Sequence, residues 1–417
     1  MKEMKDSGIG WIKKIPENWN LIRNKYNFTL SKYIIGSKWC ETQLLSLTKN
    51  GVKEINDGEQ TGKVPASLST YQKVTKNDIV MCLFDLDCSA VFSGRSNYNG
   101  MISPAYKCFK CNESLNPEYV DFYFRTVFVD RKYMRYSKNV RYSLASDEFL
   151  DLPILVPPIE EQKKIAAYLD EQCKKIDEIM VDIQNQINTL EDYRKSVISE
   201  TVTRGLNPNA KITKSRIFYM APYNKEWYLT KIGYCCKKLW RTFAPEDTAL
   251  ICTNKGKVSV RPEEMTGKMV SEDNAMQGIK KGDIAIHGMD TWHGSVAYSD
   301  YDGKITRVVH VCDSAEDKRF IVYYLQQLAF NGVYKLISNG IRGNTSDFRS
   351  WDKVADIYIA LPRVDEQQQI SDYLDKKCAD IDSIIEVKKA QLETIENYKK
   401  SLIYEYVTGK KEVPENE

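Results

Sequence analysis

LPILVPPIEEQKKIAAYLDEQ (Leu152–Gln172) decides how this chain is read, because YIALPRVDEQQQISDYLDKK (Tyr358–Lys377) says nearly the same thing again. Residues 157–203 lie over 362–408 without a gap, and close to half the positions are identical, which establishes an internal duplication. Shared pairs include Glu161/Glu366, Gln162/Gln367, Leu169/Leu374, Cys173/Cys378, Ile176/Ile381, Tyr193/Tyr398 and Val202/Val407. Each copy opens on proline (Pro157 and Pro158; Pro362), and acidic residues follow at once, as suits the positive end of a helix dipole.

A seam runs on from there. Leu169, Ile176, Ile183, Leu190 and Val197 recur every seven residues, with Cys173, Met180 and Ile187 between them. The second copy repeats the stripe with Leu374, Ile381, Ile395 and Leu402, plus Cys378, Ile385 and Leu392, but it puts Lys388 where an aliphatic residue belongs. That lysine either fixes register or snorkels. Gly205 with Pro208, and Gly409, mark the helix ends. Helices of about 40 residues span about 60 Å and need a partner for their apolar stripe. The partner expected is the duplicate, giving a coiled coil.

The segments ahead of the helices repeat more faintly. PENWNLI at Trp19 answers NKEWYLT at Trp227. KNDIVM (Lys76–Met81) answers KGDIAI (Lys281–Ile286), and YNG (Tyr98–Gly100) answers YDG (Tyr301–Gly303), where hairpin turns are expected. A helix follows in each, signalled by Asn116–Pro117 and by a capping box of Ser314 with Asp317. The exits are YSKNVRYS (Tyr136–Ser143) and ISNGIRGN (Ile337–Asn344). The fold class is therefore α+β: two globular segments of mixed strand and helix alternate with two long helices, in an internal repeat of approximate two-fold character. The expected divisions are 1–155, 156–206, 207–360, 361–410 and a polar tail 411–417. Scaffold phrases repeat while the remaining residues have drifted, as two modules reading different targets would show.

Composition sets outer limits. A chain of 417 residues suggests two to four domains. No apolar run approaches the roughly 18 residues of a membrane span. The opening MKEMKDSGIGWIKK is charged and lacks the apolar stretch of a secretion signal, so a cytoplasmic location is expected. The 11 cysteines are odd in number and scattered, which points to reduced thiols. Cys108 and Cys111 form the one CxxC; only Cys82 and Cys88, at an unusual spacing, offer a second pair, and no metal is expected. The net charge of +3 permits a nucleic-acid partner without demanding one.

Searches for catalytic constellations fail: no GxGxxG, no phosphate loop and no HExxH occur. Asn207-Pro208 is followed by Asn-Ala and sits in a helix-ending linker, unlike a methyltransferase loop. His287, His293 and His310 cluster in the second globular segment, and core or loop roles are expected for them. No catalytic, cofactor-binding or metal residue is assigned.

The positive signal is cations interleaved with aromatics, above all in FYFRTVFVDRKYMRYSKNVRYS (Phe122–Ser143). Arg95, Arg131, Lys138, Arg141 and Ser143 in the first segment, and Arg307, Lys335, Arg342 and Asn344 in the second, are the expected DNA contacts. Arg141 and Arg342 stand at the same place in the repeat, although arginines there also suit capping of helix carbonyls.

The phrases SGIGWIKKIPENW, LPILVPPIEEQKKIAAYLD, ALPRVDEQQQISDYLD, KSVISETVTRG and KSLIYEYVTGK together resemble the specificity subunits of bacterial type I restriction-modification systems, along essentially the whole chain. The resemblance implies two target-recognition domains, each reading one half of a bipartite double-stranded DNA target, and two long helices that pack as an antiparallel coiled coil about an approximate two-fold axis and dock two modification (methyltransferase) subunits. On those partners it implies S-adenosylmethionine and adenine methylation, with restriction subunits using ATP and magnesium; the chain itself would be non-catalytic, without cofactor. A self-contained restriction or modification enzyme, and a coiled-coil scaffold without a DNA role, are the competing readings.

Overall fold

The structure, a computed structural model, describes residues 3–49, 51–56, 67–137, 142–262, 275–338 and 347–414. The chain divides into two compact units. Unit 1 takes residues 1–183 and 390–417, and unit 2 takes 184–389. Each unit thus joins one globular segment to half of each long helix, so the helices are shared out rather than forming segments of their own.

In unit 1 strand β1 (Asn20–Arg23) leads to β2 (Phe28–Leu30), β3 (Ile79–Met81), β4 (Ser93–Arg95), β5 (Lys107–Cys111), helix α1 (Pro117–Phe128), strand β6 (Pro153–Val156) and the long helix α2 (Ile159–Arg204). The central sheet is antiparallel with order β2-β5-β3-β4, and β6 pairs with β1, Ile154 opposite Ile22. Unit 2 repeats the plan with β7 (Tyr228–Lys231), β8 (Cys236–Leu239), β9 (Ile284–His287), β10 (Val296–Tyr298), β11 (Val309–Ser314), helix α3 (Lys318–Phe330), β12 (Tyr358–Leu361) and the long helix α4 (Val364–Val407). Its sheet order is β8-β11-β9-β10, and β12 pairs with β7. The connectivity is the same strand for strand. The duplication therefore covers the globular segments as well as the helices.

Three local predictions fare differently. Asn116 caps α1, its side chain accepting from Tyr119 N at 2.9 Å, with Pro117 at the first helical position. In unit 2 the cap is Asp317, which accepts from Phe320 N; Ser314 instead ends β11 and donates to Cys235 O, so the expected capping box does not form. Nor are the glycines of YNG and YDG turn residues with left-handed backbone. Gly100 and Gly303 begin strands, and a Cβ on either would lie 2.4 Å from a backbone oxygen, Gln43 O and Thr248 O respectively. Close approach of a neighbouring connector, not hairpin chemistry, requires them.

The long helices hold 46 and 44 residues and end at Gly205 and Gly409, both at positive φ. Within unit 1 the start of α2 and the end of α4 run antiparallel: Tyr168 packs on Tyr406 with ring centroids 4.7 Å apart, and Lys399 Nζ reaches Asp177 Oδ1 at 2.6 Å. Within unit 2 Arg194 Nε lies 3.3 Å from Asp382 Oδ1. These two ion pairs occupy equivalent positions of the repeat.

Along the expected seam, Leu169, Ile176, Leu374, Ile381 and Leu402 are buried, whereas Ile183, Leu190, Val197 and Ile395 are only partly so. Ile198 and Val202 are fully buried where Val197 was expected to serve. A straight helix drifts by about 20° per heptad from a strict seven-residue repeat, which moves the buried stripe over by a residue along these lengths. Ile198 and Val202 join the core of unit 2 with Trp227 and Phe320. Lys388 is half-buried and its Nζ meets Gln186 Oε1 at 2.5 Å, which settles that it snorkels to a polar partner.

Candidate nucleic-acid interface

The doubled EQ phrase is a joint. Gln162 is fully buried; its Oε1 accepts from Asn116 N at 2.8 Å while its Nε2 donates to Ser114 O (2.9 Å) and Pro157 O (2.8 Å). Gln367 does the same in unit 2, accepting from Asp317 N at 2.9 Å and donating to Pro362 O (2.9 Å) and Glu316 Oε2 (2.7 Å). Each glutamine ties the first turn of a long helix to the cap of the globular segment's own helix. An amide is the side chain that both donates and accepts in one plane, so the requirement selects Gln. Beside it, Glu366 Oε1 accepts from Trp227 Nε1 at 3.2 Å.

The expected contacts sort into three groups. Lys138, Arg141, Arg342 and Asn344 lie outside the described residues. Arg95, Arg131 and Ser143 are engaged within unit 1. Arg95 donates to Asn77 Oδ1 at 2.9 Å and approaches Glu118 at 3.5 Å; Arg131 donates to Leu86 O and Ser89 O and lies over the Phe128 ring; Ser143 O accepts from Ser137 Oγ. Arg307 and Lys335 are exposed, and each sits over a tryptophan, Arg307 5.0 Å from the Trp240 centroid and Lys335 5.8 Å from that of Trp292.

Much of the basic-aromatic run turns inward. Phe122, Tyr123 and Phe124 are buried in the unit 1 core, Arg125 pairs with Asp121 at 2.7 Å, and Lys132 is buried with Nζ donating to Thr126 O. A second basic-aromatic run, KKLWRTF (Lys237–Phe243), carries no signal in the sequence beyond its composition, yet it puts Trp240 on the surface at 62% exposure.

Each unit has a cleft bounded by a hairpin, the globular helix and the long helices. In unit 1 it measures about 1000 Å³ and includes Gly51, Asp121, Asp177 and Lys399; in unit 2 about 320 Å³, including Gly256, Val322, Asp382 and Arg194. The repeated ion pairs form part of both.

The other chemical candidates are structural. Burial pushes the Cys108 and Cys111 thiols, both on β5, up to about 12. Among the described residues no group of three or more His, Cys, Asp and Glu is placed to hold a metal. Burial holds the imidazoles of His287 and His310 below their ordinary pKa; His310 Nε2 lies 2.7 Å from Phe348 O. His293 is exposed and paired with Asp290. No helix among the described residues is long and apolar enough to cross a membrane.

Comparison with known proteins accords with this geometry. Residues 70–189 match the type I restriction modification DNA specificity domain. The type I restriction enzyme MjaVIII specificity subunit of Methanocaldococcus jannaschii is 26% identical over 294 residues, 63% of each chain. The putative type I restriction enzyme MjaX specificity subunit of the same organism is 24% identical over 294 residues, 64% of this chain and 61% of that one. The matches thus span a little under two thirds of these relatives. A chain from a solved type I R-M system, studied for complex assembly and conformational transition, shares the fold with a TM-score of 0.68 at 14% identity, covering 95% of this chain and 99% of that one.

The structure is thus a duplicated fold shared with a chain of a solved type I R-M system. In sequence the chain is similar to type I specificity subunits, and the match to their DNA specificity domain falls on residues 70–189.

Proposed function

We propose that this chain is the sequence-reading, non-catalytic subunit of a cytoplasmic type I restriction-modification complex. Each unit reads one half of a bipartite duplex target. The observation that carries the reading is the doubling of the whole plan, sheet order, joint and helix pair together, at low identity elsewhere. A protein with one target would have no use for two diverged copies of one reading scaffold.

The helices dock two modification subunits. Supporting this, exposed apolar residues recur at equivalent positions: Ile179 with Tyr398 on unit 1, and Ile384 with Tyr193 on unit 2, each 46–58% exposed. Exposed aliphatic and aromatic residues repeated in register mark surfaces covered by a partner. Those partners supply S-adenosylmethionine and adenine methylation, and restriction subunits supply ATP-dependent chemistry with magnesium.

Sequencing the methylated bases of a host expressing the chain with its modification subunit tests the reading. A motif of two specified parts with an unspecified gap is expected. Methyl transfer to DNA by the purified chain alone, or a single uninterrupted motif, overturns it.

A further inference from the structure

In both units a two-stranded ribbon lies beside the central sheet: Gln72–Val74 with Gly100–Ile102 in unit 1, and Met276–Ile279 with Gly303–Thr306 in unit 2. The connector leaving β2 or β8 wraps the ribbon at both edges. In unit 1 Ile34 bridges Gln72 and Leu44 bridges Met101; in unit 2 Arg241 bridges Gly278 and Ala249 bridges Lys304. Gly100 and Gly303 exist to let these connectors come close. The two places are therefore structurally equivalent, although their sequences have little in common.

Each place carries an exposed aromatic ring from the connector with a cation from the ribbon or the residue after it laid over the ring. In unit 1 Tyr33, 56% exposed, has Lys73 Nζ at 5.5 Å from its centroid. In unit 2 Trp240, 62% exposed, has the Arg307 guanidinium at 5.0 Å, and Lys304 lies over Phe243 nearby. Arg307 Nε donates to Met276 O, which fixes its stem, and among the described residues its two terminal nitrogens make no hydrogen bond. Among the described residues Lys73, Arg307 and the adjacent Lys32, Lys38, Lys237 and Lys238 make no ion pair with a carboxylate.

Burial would normally claim a tryptophan. A large ring left in water under a cation without a carboxylate partner contributes little to stability at an exposed site. Stability alone does not account for its presence twice. A polyanion does: the ring pre-orders the cation at little further entropic cost, phosphate takes the charge, and the ring edge packs on deoxyribose.

We propose that Tyr33–Lys73 and Trp240–Arg307 are paired backbone clamps, one per unit, that grip the sugar-phosphate chain of duplex DNA and set each reading domain in register on its half-site. The inference rests on the proposed reading of the chain as a DNA-specificity subunit. The clamps position the domains and do not choose the bases.

The test uses the complete complex with the modification subunit and a duplex carrying its methylated motif. Lys73→Gln and Arg307→Gln, singly and together, are titrated by fluorescence anisotropy across a range of salt, on the specific duplex and on a random one. Expected is a salt slope lower by about 1 for each cation removed, with affinity falling alike on both duplexes and the methylated motif unchanged. Hydroxyl-radical footprinting of the unmutated protein supplies a readout independent of variant folding: Trp240 and Tyr33 lose reactivity when duplex is added. Unchanged slopes and unprotected rings overturn the clamps while leaving the DNA reading standing. An altered motif also overturns them, since it would make these residues base readers. Failure of the unmutated complex to bind DNA sinks the reading and the clamps with it.

Discussion

Gln162 shows how much a single amide holds. Three hydrogen bonds converge on it in a fully buried site: two tie α2 to the segment that precedes α1, and the third, to Pro157 O, closes the entry to α2 itself. Gln162→Leu keeps the volume and strands Asn116 N, Ser114 O and Pro157 O without partners. A buried polar group left unsatisfied costs about 1–3 kcal/mol, so a loss of roughly 2–4 kcal/mol is expected, read by urea unfolding of unit 1. Gln162→Glu, which accepts but cannot donate when ionised, should fall between, and a Leu variant as stable as the parent would dismiss the joint.

Protonation acts at the same scale. His287 and His310 are held neutral by burial, His310 also by Lys238 and by His287, while Asp290 opposes the shift at His287. Their folded pKa values are depressed, so their contribution to stability is complete above the unfolded value of about 6.5 and declines as pH falls below it. Thermal unfolding at pH 7.5 and 5.5 should show unit 2 weakened at the lower pH. His310→Gln, whose amide can still donate to Phe348 O, should shrink that difference; an undiminished difference would assign it elsewhere.

At the scale of elements, the sequence told most about the helices and least about the surfaces. Gly205, Gly409 and the proline entries are local signals with local causes and act where the pattern puts them, whereas the seven-residue stripe holds at Leu169, Ile176, Leu374 and Ile381 and shifts to Ile198 and Val202 further along α2. Ile198 and Val202 lie off the heptad because the globular core of unit 2, with Trp227 and Phe320, buries them along with Leu374 and Cys378 of α4. Gly100 and Gly303 were misjudged for the same reason: the atoms that demand glycine, Gln43 O and Thr248 O, are more than 50 residues away in the chain. The Phe122–Ser143 run looked like a surface because composition cannot tell a cation over a core ring from a cation over an exposed one. Lys388 gives an element-scale prediction. Replacing it with the isoleucine of the other copy should raise the stability of unit 2 by about 1 kcal/mol, since the seam gains apolar burial and loses one exposed hydrogen bond. Thermal unfolding decides; a fall in midpoint would mean that the Lys388–Gln186 contact outweighs the packing it displaces.

At the scale of the whole chain, the duplication is cyclic. Gly205 at the end of α2 sits against Trp227 and Glu366, inside unit 2, and Gly409 at the end of α4 sits against Pro16 and Trp19, inside unit 1. Each long helix thus finishes on the start of a globular segment, α4 on the segment that opens the chain. Unit 2 is one uninterrupted stretch with its own core, whereas unit 1 is assembled from both ends of the chain. Two consequences follow for fragments. Residues 184–389 expressed alone should fold cooperatively, because the halves of α2 and α4 that it contains pair with each other and with its sheet domain. Unit 1 should need a circular permutant, with residues 390–417 joined by a flexible linker ahead of 1–183, while 1–183 alone should expose Leu169, Cys173 and Ile176, whose cover includes Leu402, Ile403 and Tyr406. Calorimetry of the three fragments separates the outcomes. A cooperative transition from 1–183 alone, equal to that of the permutant, would show that the end of α4 is dispensable to unit 1 and that the cyclic arrangement carries none of its stability.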